Sequence, residues 1–194
     1  PLDNAKQCIA RGTSDMLVWE QDVEQPFITE VMHDGVKIYD WRDPYLFDDQ
    51  GQTWMLLGGN LGKRQGGTGV VVMYRAERPD LTQWSYRGII YRCPEWEVGQ
   101  VDCPNLFRVG DKWVMLYSPW HGSIRYLVGS MDVTAGRFVA ETFGLFDAGP
   151  DLFATNTAID SQGRLVIWSW VRGSRDRRGW AGCLALPREV ALGP

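Results

Sequence analysis

One pattern recurs along this chain of 194 residues, and it leaves few folds open. "RDPYLFDDQGQTWMLLGG" at 42–59 lines up with "DCPNLFRVGDKWVMLYSP" at 102–119, and "FATNTAIDSQGRLVIWSW" at 153–170 has the same shape. Each copy is a short aromatic and aliphatic run, a tight turn such as "DDQGQ" or "VGDK", and a second apolar run. Another element follows each copy or precedes it. Asp15 stands four residues before Trp19, Asp80 four before Trp84, and "MDVTAGRF" at 131–138 is a looser third case. Helical periodicity is poor throughout. The unit is strand, turn, strand, strand and a closing strand that opens on Asp-x-x-x-Trp. Four short strands repeated every roughly 40–50 residues indicate an all-β chain, a β-propeller. About three to four such units fit, whereas propellers close with about four to eight blades, and an open ring leaves strand edges unpaired. A partial ring is therefore expected. The start at Pro1, without a methionine, also reads as a piece of something longer.

Charge narrows the partners. The net charge is −4, with no run of Lys or Arg, so nucleic acid is not expected. The one basic cluster, "RGSRDRRG" at 172–179, is flanked by glycine, contains Asp176 and reads as a solvated loop. No apolar run approaches the length of a membrane helix, so no membrane partner is expected. Cys8, Cys93, Cys103 and Cys183 form no CxxC pair, and the two histidines, His33 and His121, stand far apart. No metal or other cofactor is expected from them. Cys93 and Cys103 either pair, if the protein is exported, or are free buried thiols. Ten tryptophans are many for this length, and suit either core packing or stacking on sugar rings.

The repeats also carry acid groups. Asp43 and Asp102 stand at matched places ahead of the Leu-Phe pair, each at the start of what should be the innermost strand of a blade. In a propeller such positions converge on one end of the axial pocket; the alternative is that each aspartate only caps a turn. Two carboxylates in an aromatic-lined pocket suit glycoside cleavage, because neighbouring acids push their pKa values apart and one can donate a proton while the other stays ionised. Arg42 is placed to hold sugar hydroxyls and to keep Asp43 charged.

The motifs then become specific. "WRDPYLF" resembles the Arg-Asp-Pro motif of glycoside hydrolase family 32, the invertases, levanases, inulinases and other β-fructosidases, and "VDCPNLF" resembles its Glu-Cys-Pro motif. "FDAGPDLFATNTAIDSQGRLVIWSW" and "GWAGCLALPREVAL" resemble two later segments of the same family, in the same order. The resemblance implies a five-bladed propeller followed by a β-sandwich, with residues 1–194 an incomplete N-terminal propeller domain. It implies retaining hydrolysis of terminal β-D-fructofuranosides, with sucrose or a fructan as partner. It puts Asp43 at the transition-state stabiliser and Asp102 at the acid/base. Arg42, Cys103 and Trp170 fall on substrate-binding positions, and Asp147 and Asp151 on a structural or supporting segment. Two departures stand out. The family's Asn-Asp-Pro-Asn-Gly nucleophile motif is absent from this chain, "LDNA" at 2–5 being no substitute, so the chain by itself is expected to be inactive. Asp102 also replaces a glutamate, which leaves Glu97 or Glu95 as an alternative acid. A fructosyltransferase of the family, an inverting arabinanase-like propeller and a sugar-binding propeller without catalysis stay open beside the hydrolase.

Overall fold

The computed structural model describes residues 5–21, 28–62, 66–97, 99–173 and 179–191. Its order is β1 (Ala10–Gly12), β2 (Trp19–Gln21), one 3-10 turn (Glu30–His33), β3 (Tyr39–Asp49), β4 (Gln52–Asn60), β5 (Gly69–Ala76), β6 (Trp84–Arg92), β7 (Val101–Val109), β8 (Lys112–Pro119), β9 (Arg125–Asp132), β10 (Arg137–Leu145), β11 (Leu152–Ile159), β12 (Leu165–Val171), β13 (Cys183–Leu184) and β14 (Arg188–Glu189). Strands β3 to β6 form one antiparallel sheet in sequence order, and β7 to β10 form a second. In a third, β12 pairs with β11 on one side and with β13 and β14 on the other. The repeat unit read from the sequence is thus the blade of a propeller. Most of the cluster at 172–179, namely 174–178, lies outside the described residues, as do residues 1–4.

The sheets stack face to face, and alternation along the strands shows it. Leu56, Val71 and Met73 face the second sheet, where they meet Val101, Leu106 and Met115. Their neighbours Leu57, Val70 and Val72 face the other way, with Ile28, Ile38 and Trp41. On the far side of the second sheet, Val114 and Leu116 pack on Ile167 of the third. Because both faces of β4 and β5 are covered, these strands read as continuous apolar runs. Each fully buried Leu, Val or Met contributes about 1.5–3 kcal/mol. Of the tryptophans, Trp41, Trp54, Trp84 and Trp113 are core, while Trp19, Trp96, Trp168, Trp170 and Trp180 are exposed. His33 is core too: its Nε2 meets the Tyr74 hydroxyl at 2.5 Å, and burial depresses its pKa.

The Asp-x-x-x-Trp motif proves to be a turn device. The Asp80 carboxylate accepts the Thr82 N–H at 3.1 Å, Leu81 takes φ 59°, and the Trp84 indole donates to the Leu81 carbonyl at 2.8 Å. Asp15, Met16, Leu17 and Trp19 repeat it, with φ 58° at Met16 and an indole bond of 2.9 Å to its carbonyl. In the third copy, which lacks the tryptophan, only the cap survives, Asp132 accepting the Ala135 N–H at 2.8 Å.

Two blades meet closely at Gly58 of β4. A Cβ there would lie 2.2 Å from the Val101 carbonyl oxygen at the start of β7. Gly58 is the register partner of Arg42, and Val101 precedes Asp102. Gly58→Ala is therefore expected to push β7 outward, to destabilise by about 1–3 kcal/mol as overpacking does, and to widen the Arg42–Asp102 spacing. A thermal melt unchanged from wild type would show that β7 yields freely.

Candidate active site

Strands β3, β7 and β11 are the innermost of their blades, and all three break register at the same place. The pairing with the next strand slips between Arg42 and Tyr45, between Asp102 and Asn105, and between Phe153 and Asn156. Each slip is a β-bulge whose first residue is left-handed: Asp43 at φ 62°, Cys103 at φ 47° and Ala154 at φ 53°. A left-handed cysteine or alanine costs about 1–3 kcal/mol, and such strain gathers at functional sites. Residues 43–45, 103–105 and 154–156 together line a hollow of 240 Å³ on the axis.

This register corrects one step of the sequence argument. Asp43 corresponds to Cys103 and Ala154, while Asp102 corresponds to Arg42 and Phe153. The two aspartates are offset by one residue, because the first lies inside its bulge and the second just before it. They are joined through Arg42 nonetheless. Its guanidinium lies 2.6 Å from Asp102 Oδ1, 3.8 Å from Asp43 Oδ2 and 3.9 Å from Asp40 Oδ1. Asp43 is the more open acid, with a side chain 31% exposed against 7% for Asp102. It lines the hollow and Asp102 does not.

Backbone and thiol of Cys103 hold Asp43 from the next blade. The Cys103 N–H donates to Asp43 Oδ2 at 2.9 Å, and its Sγ lies 3.5 Å from the same oxygen. Burial first, then the Asp43 charge, pushes the Cys103 thiol up to about 12. Cys93, buried in the inter-blade core, is also pushed up to about 12, chiefly by burial. All four cysteines are free, so the conditional pairing of Cys93 with Cys103 does not occur; one faces the core and the other the axis. Since the thiolate is the reactive form, Cys93 and Cys103 are expected to resist alkylation at pH 8 while exposed Cys8 and Cys183 react. A thiol titration giving four fast groups in folded protein would overturn this.

Several supports were not visible in the motifs. Buried Gln100 donates from Nε2 to the Asp40 carbonyl at 3.0 Å and to that of Val101 at 2.8 Å, tying the strand of Arg42 to that of Asp102. Asn105 donates to the Thr155 carbonyl at 3.0 Å, and Ser118 accepts the Ala154 N–H at 2.9 Å, joining the second blade to the third. Asp40, itself left-handed at φ 50°, adds a third carboxylate beside Arg42. Asp40, Gln100 and Asn105 lie in or next to the Arg-Asp-Pro and Asp-Cys-Pro segments, whereas Ser118 carried no such signal.

The remaining candidates lie elsewhere. Trp170 is register-paired with Phe153, one strand outward from the axial bulge. It is 41% exposed and does not line the 240 Å³ hollow. Its indole nitrogen lies where a Cβ on Gly182 would fall, at 2.1 Å. Asp147 is a structural residue: it accepts the Gly149 N–H at 3.1 Å and pairs with Arg188 at 3.0 Å, and both, the backbone bond first, hold its carboxyl below the usual range. Asp151 is exposed, with its carboxylate beside Gly173. Glu97 faces the space between the first two blades, where it accepts from the Tyr117 hydroxyl and from Arg125 Nε at 2.6 Å. Glu97→Gln is thus expected to lower stability by about 3 kcal/mol, the cost of a broken buried charge pair, or roughly 6–12 °C in Tm. Turnover should change little. Abolished activity in a fully folded variant would instead make Glu97 the acid.

The chain matches the glycosyl hydrolases family 32 N-terminal domain over residues 2–194. It is 25% identical to the sucrose-6-phosphate hydrolase of Escherichia coli over 95% of this chain and 40% of that one, and 28% identical to the raffinose invertase of Escherichia coli over 81% and 38%. In structure it is similar to the GH32 β-fructofuranosidase BmSUC1 of Bombyx mori, with a TM-score of 0.79 at 23% identity over 93% of this chain and 40% of that one; a mutant of that enzyme was solved in complex with sucrose. The chain thus spans about two fifths of the length of these relatives. Its Arg-Asp-Pro and Asp-Cys-Pro segments, brought together on one axis, are those of a chain that belongs to glycosyl hydrolase family 32.

Proposed function

We propose that the protein containing this chain is a retaining glycoside hydrolase that releases terminal β-D-fructofuranosyl units from sucrose or a fructan. The observation that carries this reading is Arg42, ion-paired with Asp102 and beside Asp43, which lines an axial hollow. The names of the relatives support the substrate class. In this reading Asp102 protonates the glycosidic oxygen as the bond to the anomeric carbon breaks, and a carboxylate nucleophile takes that carbon. Asp43 offsets the positive charge that builds on the ring. Water, deprotonated by Asp102, then releases fructose with its original anomeric configuration. Arg42 and Cys103 position the sugar and Asp43, and Trp170 forms an apolar wall beyond Phe153.

The nucleophile belongs, in this proposal, to a blade outside the 194 residues, and the ring has five blades. Strands β1 and β2 support it, since they repeat the Asp-x-x-x-Trp turn that joins the outer strands β5 and β6. Residues 1–194 alone should then give no turnover, and the full-length protein should hydrolyse sucrose. Proton NMR of the first fructose released is the test. The β anomer of the furanose is expected, and the α anomer would refute retention. The enclosed Asp102, in place of glutamate, favours a second reading, a sugar-binding propeller, which full-length protein that binds sucrose without cleaving it would establish.

A further inference from the structure

Outside the axial hollow, a second cavity of 280 Å³ opens between the first two blades. Its walls include Tyr91, Pro94, Trp96, Tyr117, Arg125 and Phe143. Two features separate it from ordinary inter-blade packing. First, its aromatic rim is bare: Trp96 is 61% exposed and Phe143 63%, their rings 6.4 Å apart and inclined by 34°. Second, its polar floor is fixed. Glu97, buried beneath the lining, binds the Tyr117 hydroxyl and Arg125 Nε, and the Arg125 guanidinium lies 5.6 Å from the Trp96 ring centre. The Tyr91 and Tyr117 rings lie 5.8 Å apart behind it, inclined by 44°.

Strand register puts this cavity on the same end of the propeller as Arg42. Asp102 pairs with Ser118 across β7 and β8, and Tyr117 pairs with Arg125 across β8 and β9. Arg125 therefore lies one residue off the row of Asp102, two strand spacings away, or about 10 Å.

We infer that this cavity is a carbohydrate subsite, which holds one sugar ring of an oligosaccharide whose terminal unit occupies the axial hollow. Flat aromatic faces cover the apolar face of a sugar, while the Arg125 guanidinium N–H groups that Glu97 leaves open meet its hydroxyl groups. The volume is at the small end for ligand sites and suits a single ring. Glu97 locks two of the lining side chains beforehand, so little freedom is lost on binding. The inference rests on the fructoside reading above and adds a preference for longer substrates.

The test is calorimetric titration of the full-length protein with sucrose and with the tetrasaccharide nystose, in an Asp43→Asn background that slows turnover. Nystose should bind more tightly than sucrose. Trp96→Ala should weaken nystose about five- to tenfold, leave sucrose unchanged, and be rescued largely by Trp96→Phe. Phe143→Ala should act in the same direction. If Trp96→Ala leaves nystose unchanged, or weakens both sugars alike, the subsite is wrong while the fructoside reading stands. If neither sugar binds to the Trp96 parent, both fall together.

Discussion

Asp43→Asn in the full-length protein is expected to lower kcat by about 10²–10³-fold and to leave sucrose binding broadly intact. The amide has nearly the size of the carboxylate and still accepts the Cys103 N–H, so the left-handed bulge at Asp43 is kept. What disappears is the negative charge beside the anomeric carbon. A fixed group aimed at developing charge is worth about this much in a site shielded from water. Arg42 is only 3.8 Å away and would face an uncharged neighbour in the variant. A kcat within tenfold of wild type would make Asp43 a bulge residue with no part in the chemistry.

Asp102→Ala is expected to give the second large effect, a loss of about 10²–10⁴-fold, the usual contribution of a general acid/base. The loss should be steepest on sucrose and shallow on a fructoside with an activated leaving group, which needs no proton. The structure sharpens the companion substitution. Asp102 is nearly enclosed and its carboxylate is engaged by Arg42 at 2.6 Å, outside the lining of the hollow. A side chain longer by one methylene, roughly 1.5 Å, would reach further toward the hollow from the same backbone. Asp102→Glu is therefore expected to match or exceed wild type on sucrose, because a displacement of about 1 Å can change rates 10²-fold. Full activity in Asp102→Ala would remove Asp102 from the mechanism. Glu97 would not inherit the role, since Tyr117 and Arg125 hold it between the blades.

Much of this site could be read before any coordinates. Asp43, Asp102 and Arg42 do meet, as two copies of one motif in a circular repeat should. Their one-residue offset was legible too, since the aligned copies set Arg42 against Asp102 and Asp43 against Cys103; the left-handed bulges at Asp43, Cys103 and Ala154 were not, because no hydrophobic pattern marks them. The same limit applies to Glu97. It is five residues from Asp102 in sequence, yet it turns to the inter-blade space through the positive φ of Gly99, at 120°. Trp170 was legible as a strand residue, but its half-exposed position beside Gly182 depends on β13, which comes later in the chain.

The sequence by itself determined the all-β class, the four-stranded repeat and the family motifs. These are local properties: alternation, turn residues and short spacings are written in consecutive positions and survive any rigid rearrangement of the blades. Only the tertiary structure decided which acids share a cation, that Cys103 holds Asp43, and which of the ten tryptophans are bare. Those facts depend on how one blade sits against the next, to within an ångström. That distance is set by contacts such as the Val101 carbonyl over Gly58, between residues far apart in the chain.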